Sequence, residues 1–494
     1  MRPGQTAAMT DAVPGPDSQA PAARETPTPP KMGLELQEGV RVPRRQVISW
    51  ALWDWGTQPF NTVILTFVFT ALYLTTDAFL DPAIAALSED DPAYQHGLAE
   101  LSSGVGLWNT LAGLLILVLA PVLGQRADAS GRRKAWLAGG TVGMVLCMLA
   151  LWFVEADPAY FVLGAALIGL GSVLNEIAGV NYNAMMVSVA TPKTVGKVSG
   201  LGWGLGYVGG ILALLFVVIA NGADWWGMPT DNGLAYRVIA VGCAIWAIAF
   251  AWPILAFVPE LPPTKGRATV GFFASYVVLY RDIKGLWHTS RRTFWFLLAS
   301  AVFRDGLSGV FAFGAIIGSV SFGFSSEEVI IFGIAANLVA GISTVLVGIA
   351  DDRFGPRSVI LSTLSIIVVA GLGVVFLRDL GPIVYWVGGL TLSACVGPAQ
   401  AASRSYLARV TPAGKESEIF GLYATTGRAS SWMSSLLWTV TIAATGATIW
   451  GTLGIVAVVL FGLVLMWFVR EAPLADAGTT AGPTAEPTGD RSAV

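Results

Sequence analysis

Five long apolar runs of this sequence contain charged side chains: Asp54, Glu176, the neighbours Arg304 and Asp305, Arg404, and Arg428. An ionised group in the middle of a bilayer costs about 2.5–3.5 kcal/mol on insertion scales, so each should face protein or water. Asp54, Gln58 and Asn61 follow i, i+4, i+7 spacing and form one polar stripe on a helix, with Pro59 removing a backbone donor beside it. Glu176 has Asn175 next to it and Asn183 seven residues on, on the same face. Gln400 and Arg404 are four apart with Ser403 adjacent, and Arg428 follows Thr425, Thr426 and Gly427.

These residue types suit proton exchange and the capture of a charged solute. Desolvation raises a carboxyl's pKa and a nearby arginine lowers it, so a carboxylate that moves between two such settings can load and release a proton. Glu176, the deeper acid, fits that role; the alternative is a permanent ion pair with Arg404 or Arg428. Asp54 is either a proton or substrate site or the partner of a gate arginine, and the tryptophans flanking it suit the interfacial end of a span. Arg304 can hold a substrate carboxylate or pair with Asp54 or Glu176. Because Arg304 and Asp305 are adjacent, they leave a helix in different directions and need separate partners. For Gln400, Arg404 and Arg428, ligand and gate contacts are equally open.

The elements that must position these groups are membrane helices. The 494 residues are 54% hydrophobic and 12% charged, against roughly 25% charged in soluble domains. Twelve apolar runs, each near or above the roughly 20 residues a spanning helix needs, lie at about 47–75, 101–124, 134–154, 159–188, 199–220, 235–258, 292–320, 328–350, 356–377, 382–408, 416–442 and 448–470. They predict an all-α membrane protein with a six-helix bundle over 47–258, a linker over 259–291 and a second bundle over 292–470. Residues 1–46 and 471–494 read as disordered tails. Lys and Arg gather in alternate loops, which places both tails and the linker in the cytoplasm.

Cys147, Cys243 and Cys395 lie inside spans without paired spacing, and His96 and His288 read as loop residues, so neither a disulfide framework nor a metal site is expected. "GLGYVG", residues 204–209, has no preceding strand and marks no nucleotide site. Gly202, Gly206 and Gly210 instead recur every fourth residue, which lets two membrane helices approach closely.

The chain repeats itself. "GQRADASGRRK" at 124–134 and "GIADDRFGPRS" at 348–358 align Gly124 with Gly348, Asp128 with Asp352, Gly131 with Gly355 and Arg133 with Arg357, all 224 residues apart. Thr191-Pro192 and Thr411-Pro412 are 220 apart, and Gly206 and Gly427 are 221 apart. Six spans, a basic linker and six more spans with parallel repeats are the plan of many secondary transporters, whose substrate site lies between the halves.

The loop with Gly124, Asp128, Gly131, Arg132, Arg133 and Lys134 resembles the signature of the major facilitator superfamily. The resemblance implies that Asp128 meets a helix N-terminus of the opposite half, where the dipole favours an anion, and that Arg132 and Arg133 help hold a cytoplasmic gate, with Asp352, Gly355 and Arg357 as a second copy. It also implies that helices one, four, seven and ten line the cavity. "WALWDWGTQPF" and "GPAQAASRSYLARVTPAGKESEIFGLYATTGR" are similar to the vacuole-effluxer family, the autophagy-related amino-acid effluxers of fungi and their bacterial relatives. Thr57 and Pro59 depart from that family's opening motif.

The reading is a monomeric secondary transporter of small organic solutes, with neutral amino acids and protons as expected partners besides lipid, and no cofactor, nucleotide or nucleic acid. No Gly-x-x-x-x-Gly-Lys-Ser/Thr loop is present. The alternatives are a drug or sugar exporter on the same fold, a polytopic membrane enzyme, or a sensor that does not transport. Arg outnumbers Lys 22 to 7, which favours a GC-rich bacterial genome and an inner membrane.

Overall fold

A computed structural model describes residues 31–223, 227, 232–260 and 271–471. Among the described residues, eleven helices are long and apolar enough to span a bilayer: α1 Arg44–Leu74, α2 Pro92–Ser130, α3 Arg133–Phe153, α4 Pro158–Val189, α5 Val195–Ala220, α6 Leu234–Phe257, α7 Arg291–Ser321, α8 with its apolar stretch Ile331–Phe354, α9 Pro356–Phe376, α10 Pro382–Val410 and, after α11, α12 Thr448–Trp467. The remaining span, α11, breaks at Ser431 and Trp432 into Glu416–Ser430 and Met433–Thr445. The twelve helices fall into two halves, α1–α6 and α7–α12, as the resemblance implies. Between the halves, α5 packs along α8 and α2 along α11.

Local chemistry explains several departures from the apolar runs. Helix α2 starts nine residues early, taking His96 into the helix, because Asp91 caps it through the Ala93 amide at 2.8 Å and Pro92 needs no donor in the first turn. In α1, Pro59 cannot donate to the Trp55 carbonyl; Trp246 Nε1 of α6 donates to that oxygen instead, at 3.2 Å. Beyond Pro59 the helix widens into π turns over Phe60–Phe67 and Thr70–Leu74. The break in α11 is held by Asp305, whose Oδ2 accepts from Ser434 N and Oγ at 2.6 and 2.7 Å, capping the second piece.

The expected disordered tail over 1–46 needs correction from residue 31 onward. Leu34–Gln37 form a 3-10 turn, Leu34 is buried, and α1 begins at Arg44, because an apolar side chain and main-chain bonds to the α10–α11 loop hold the segment down. Residues 1–30 and 472–494, the rest of the expected tails, lie outside the described residues. The linker contains a helix, Phe272–Thr289, whose Tyr276 hydroxyl donates to the Val118 carbonyl of α2 at 3.3 Å.

Candidate functional site

The charged residues assemble in two tiers between the halves. The lower tier closes the face that carries the α2–α3 and α8–α9 loops, here the basic-loop face. Asp128, at the end of α2, is buried. Its Oδ1 accepts from Ser417 N at 3.1 Å and its Oδ2 from Glu418 N at 2.9 Å, so the carboxylate caps the N-terminus of α11, where unsatisfied amides and the helix dipole favour an anion. Arg133 joins this latch, with Nη2 at 2.7 Å from Asp128 Oδ1 and 2.5 Å from Glu416 Oε2. Gly131 ends α2 at φ 63°, a left-handed turn that returns Arg133 beneath Asp128. Gly124 allows the approach: a Cβ there would overlap the Ser417 carbonyl.

The repeat builds the same device with the halves exchanged. Asp352, at the end of α8, accepts from Gly196 N at 2.7 Å and Lys197 N at 3.0 Å, capping α5. Ser417 and Glu418 stand 221 residues after Gly196 and Lys197, so the two carboxylates contact repeat-equivalent amides. The expected arginine is not the one that serves. Arg357 turns to the end of α12, donating to the carbonyls of Val469 at 2.6 Å and Trp467 at 2.9 Å. Arg409 of α10 takes its place, 3.3 Å from Asp352 Oδ1 and 3.6 Å from Asp351 Oδ1, with Nη1 donating to the Pro192 carbonyl at 2.7 Å. Arg132 is exposed and lies outside the latch; with Arg126, Ser130 and Trp136 it lines a shallow surface cavity of about 330 Å³.

Above the latches, Arg404 of α10 crosses into the opposite half. Nη1 donates to Asn183 Oδ1 at 3.0 Å and lies 3.7 Å from Asp54 Oδ2; Nη2 donates to the Ser199 carbonyl at 2.8 Å. The guanidinium faces the ring of Trp203 at 4.6 Å. Of the two tryptophans flanking Asp54, Trp53 is buried rather than interfacial, its ring stacked on Tyr182 of α4 at 4.5 Å, with Trp50 stacked on the same ring at 4.4 Å; Trp55 is half-buried, its ring stacked on Trp246 of α6 at 6.0 Å. Burial against an aromatic partner outweighs the interfacial preference that isolated tryptophans show. Gly202, Gly206 and Gly210 of α5 lie against Trp50 and Tyr182, Asp54, and Gln58 and Thr62, so this glycine ladder is the groove in which α1 rests.

The upper tier is accessible. Glu176 of α4 and Arg428 of α11 meet across the halves, Nη2 to Oε2 at 3.1 Å, with side chains 30% and 43% exposed. Asn175 Nδ2 donates to Asn61 Oδ1 at 3.3 Å, joining the polar stripe of α1 to α4; Gln58 and Gln400 are half-buried. Arg304 and Asp305 part company. Arg304 lies over the Tyr423 ring at 3.7 Å and donates to the Tyr423 carbonyl at 2.9 Å, in space that Gly427 leaves free, whereas Asp305 is committed to the break in α11. Thus Asp54 partners Arg404, Glu176 partners Arg428, and Arg304 pairs with neither acid.

Sequence reasoning missed Arg409, Asp351, Glu416 and Tyr182. A local signal for Glu416 was available, since "KESE" opens the helix that Asp128 caps. No short-range signal links Arg409 to Asp351 and Asp352 on another helix.

Comparison with known proteins places this geometry. A family model described as "Vacuole effluxer Atg22 like" matches residues 188–473, more than half of the chain. The uncharacterized MFS-type transporter YxiO of Bacillus subtilis (strain 168) is 24% identical over 436 residues, spanning 87% of this chain and 96% of that protein. The human organic anion transporter MFSD10 (TETRAN) aligns with a TM-score of 0.64 at 16% identity, covering 86% of this chain and 99% of that one. The Escherichia coli fucose:proton symporter FucP gives a TM-score of 0.64 at 12% identity, covering 86% and 98%. At these identities the two structural likenesses show the fold.

Proposed function

The chain belongs to the vacuole effluxer family of major facilitator transporters, and from that premise we propose that it carries small zwitterionic solutes, neutral amino acids in the first instance, by alternating access, with a proton exchanged at Glu176. The observation that carries this reading is the Glu176–Arg428 pair, which bridges the halves at 3.1 Å while both side chains stay accessible. A solute carboxylate that takes Arg428 displaces Glu176. The freed carboxylate then receives either the solute's ammonium or a proton. Arg304, held over Tyr423 four helical positions before Gly427, supplies a second cation beside this opening.

The bias of Lys and Arg assigns the basic-loop face to the cytoplasm, which makes the structure outward-open, its latches shut and its upper tier exposed. A bacterial plasma membrane is the corresponding location, the protein acting as a monomer. The gate roles fall to Asp128, Arg133, Glu416, Asp352, Arg409 and the Asp54–Arg404 contact. The solute roles fall to Glu176, Arg428, Arg304, Asn61 and Gln58.

Counterflow into proteoliposomes tests the reading. Labelled neutral amino acids should exchange with wild type, Arg428→Ala should lose at least tenfold in apparent affinity, and Glu176→Gln should exchange solute while no longer responding to an imposed pH gradient. Exchange confined to sugars or to bulky apolar cations, with Glu176→Gln as pH-sensitive as wild type, would overturn it.

A further inference from the structure

The segment preceding α1 belongs to neither tier, yet it lies against both halves. The Gly33 amide donates to the Thr411 carbonyl at 3.0 Å and the Ala413 amide to the Lys31 carbonyl at 3.0 Å, an antiparallel bridge centred on Met32 and Pro412. Glu35 shapes the turn by accepting from the Met32 amide at 2.8 Å. Leu34, 2% exposed, enters the core that contains Met186, Val187 and Val189 at the end of α4, and its turn packs on that stretch. Gly33 seats over the first latch: a Cβ there would come within 2.5 Å of Glu416 Oε1, while the other oxygen of that carboxylate holds Arg133.

Topology gives these contacts a consequence. Residues 31–43 run directly into α1 and rest on α4, both of the first half, whereas Thr411–Ala413 join α10 and α11 of the second. Any movement that separates the halves on the basic-loop face must break the bridge or lift Leu34 from its pocket. A side-chain latch can be remade with a partner one turn away, but a main-chain bridge has a single register.

We propose that residues 31–40 are a strap that fastens the basic-loop face shut, and that its release is a separate step, and a point of control, in the passage to the opposite-facing state. The proposal rests on the alternating-access reading above. Two main-chain bonds and one buried leucine are few enough to open locally while the helices stay folded. The strap acts on the latch by position: it covers Glu416 and pins the loop from which α11 starts, so it stabilises the arrangement that Asp128 caps.

The full-length protein in nanodiscs supplies the test without a known solute. Maleimide nitroxides on Arg132→Cys and Arg353→Cys, exposed residues of opposite halves on this face, report its opening by pulsed EPR; native Cys147, Cys243 and Cys395 are buried. Leu34→Gln should enlarge the long-distance population about tenfold, the effect expected for losing one buried leucine. A Met32→Cys/Pro412→Cys disulfide, closed before labelling, should restore the short distance in an Arg133→Met background. Distributions for Leu34→Gln that coincide with wild type, or a closed disulfide that leaves the Arg133→Met distances long, would overturn the strap. If Arg133→Met itself fails to lengthen the distance, the alternating-access reading falls first; if it lengthens and the strap variants have no effect, only the strap falls.

Discussion

The two latches look like copies, yet they distribute charge differently between the halves. In the first, Asp128 and Arg133 belong to one half and Glu416 to the other, so opening must pull a buried arginine from a buried carboxylate across the interface. In the second, Asp352, Asp351 and Arg409 all belong to the same half; only Asp352's two bonds to the α5 amides and Arg409's bond to Pro192 cross over. The repeat explains how this arose. Glu416 aligns with Val195, and Asp351 with Ala127, so each copy carries its extra acid at a position where the other has an apolar residue. On the alternating-access reading proposed above, a shared backbone plan supports one latch that would break by charge separation and one that would release with its ion pair intact.

That asymmetry orders the expected effects of substitution. Arg133→Met should be the most damaging, since it leaves Asp128 and Glu416 buried together without a cation; loss of one partner from a buried pair costs about 3–5 kcal/mol. It should shift the basic-loop face to open, read as cysteine accessibility on the α2–α3 loop. Asp352→Ala should have a smaller effect, about 1–2 kcal/mol for a charged cap on a helix N-terminus, because Arg409 retains Asp351. Equal shifts for the two variants would remove the distinction between the latches. Arg357→Ala should leave the open fraction unchanged and only lower the thermal unfolding temperature, by an amount corresponding to about 1–2 kcal/mol, since it satisfies carbonyls at the end of α12. A change in opening with Arg357→Ala would return that arginine to the gate.

Much of this is legible in the sequence alone. Mean hydropathy set the spans, and the repeat located both aspartates, because capping a helix with a carboxylate depends on local backbone that both halves preserve. The stripe of Asp54, Gln58 and Asn61 and the accessible Glu176 were visible as charge in apolar sequence. What could not be read were the partnerships. Arg409 reaches Asp352 across 57 residues, a distance that only the packing of α10 on α8 closes. Arg357 was placed in the gate by alignment with Arg133, but the unsatisfied end of α12 lay closer to it. Trp53 was read from the average preference of tryptophan for interfaces, whereas the ring of Tyr182 gives it a buried partner. Residues 31–43 looked like tail because a few apolar side chains scattered through a short polar segment, Leu34 among them, are no signal of burial.

The most direct test of the account is a pair of pulsed EPR distances, one across each face, in wild type, Asp352→Ala and Arg133→Met. The account predicts that breaking the first latch lengthens the distance on the basic-loop face and shortens the one on the opposite face in the same molecules, with Asp352→Ala intermediate. Two faces that change independently, or a basic-loop face that stays shut without Arg133, would contradict it.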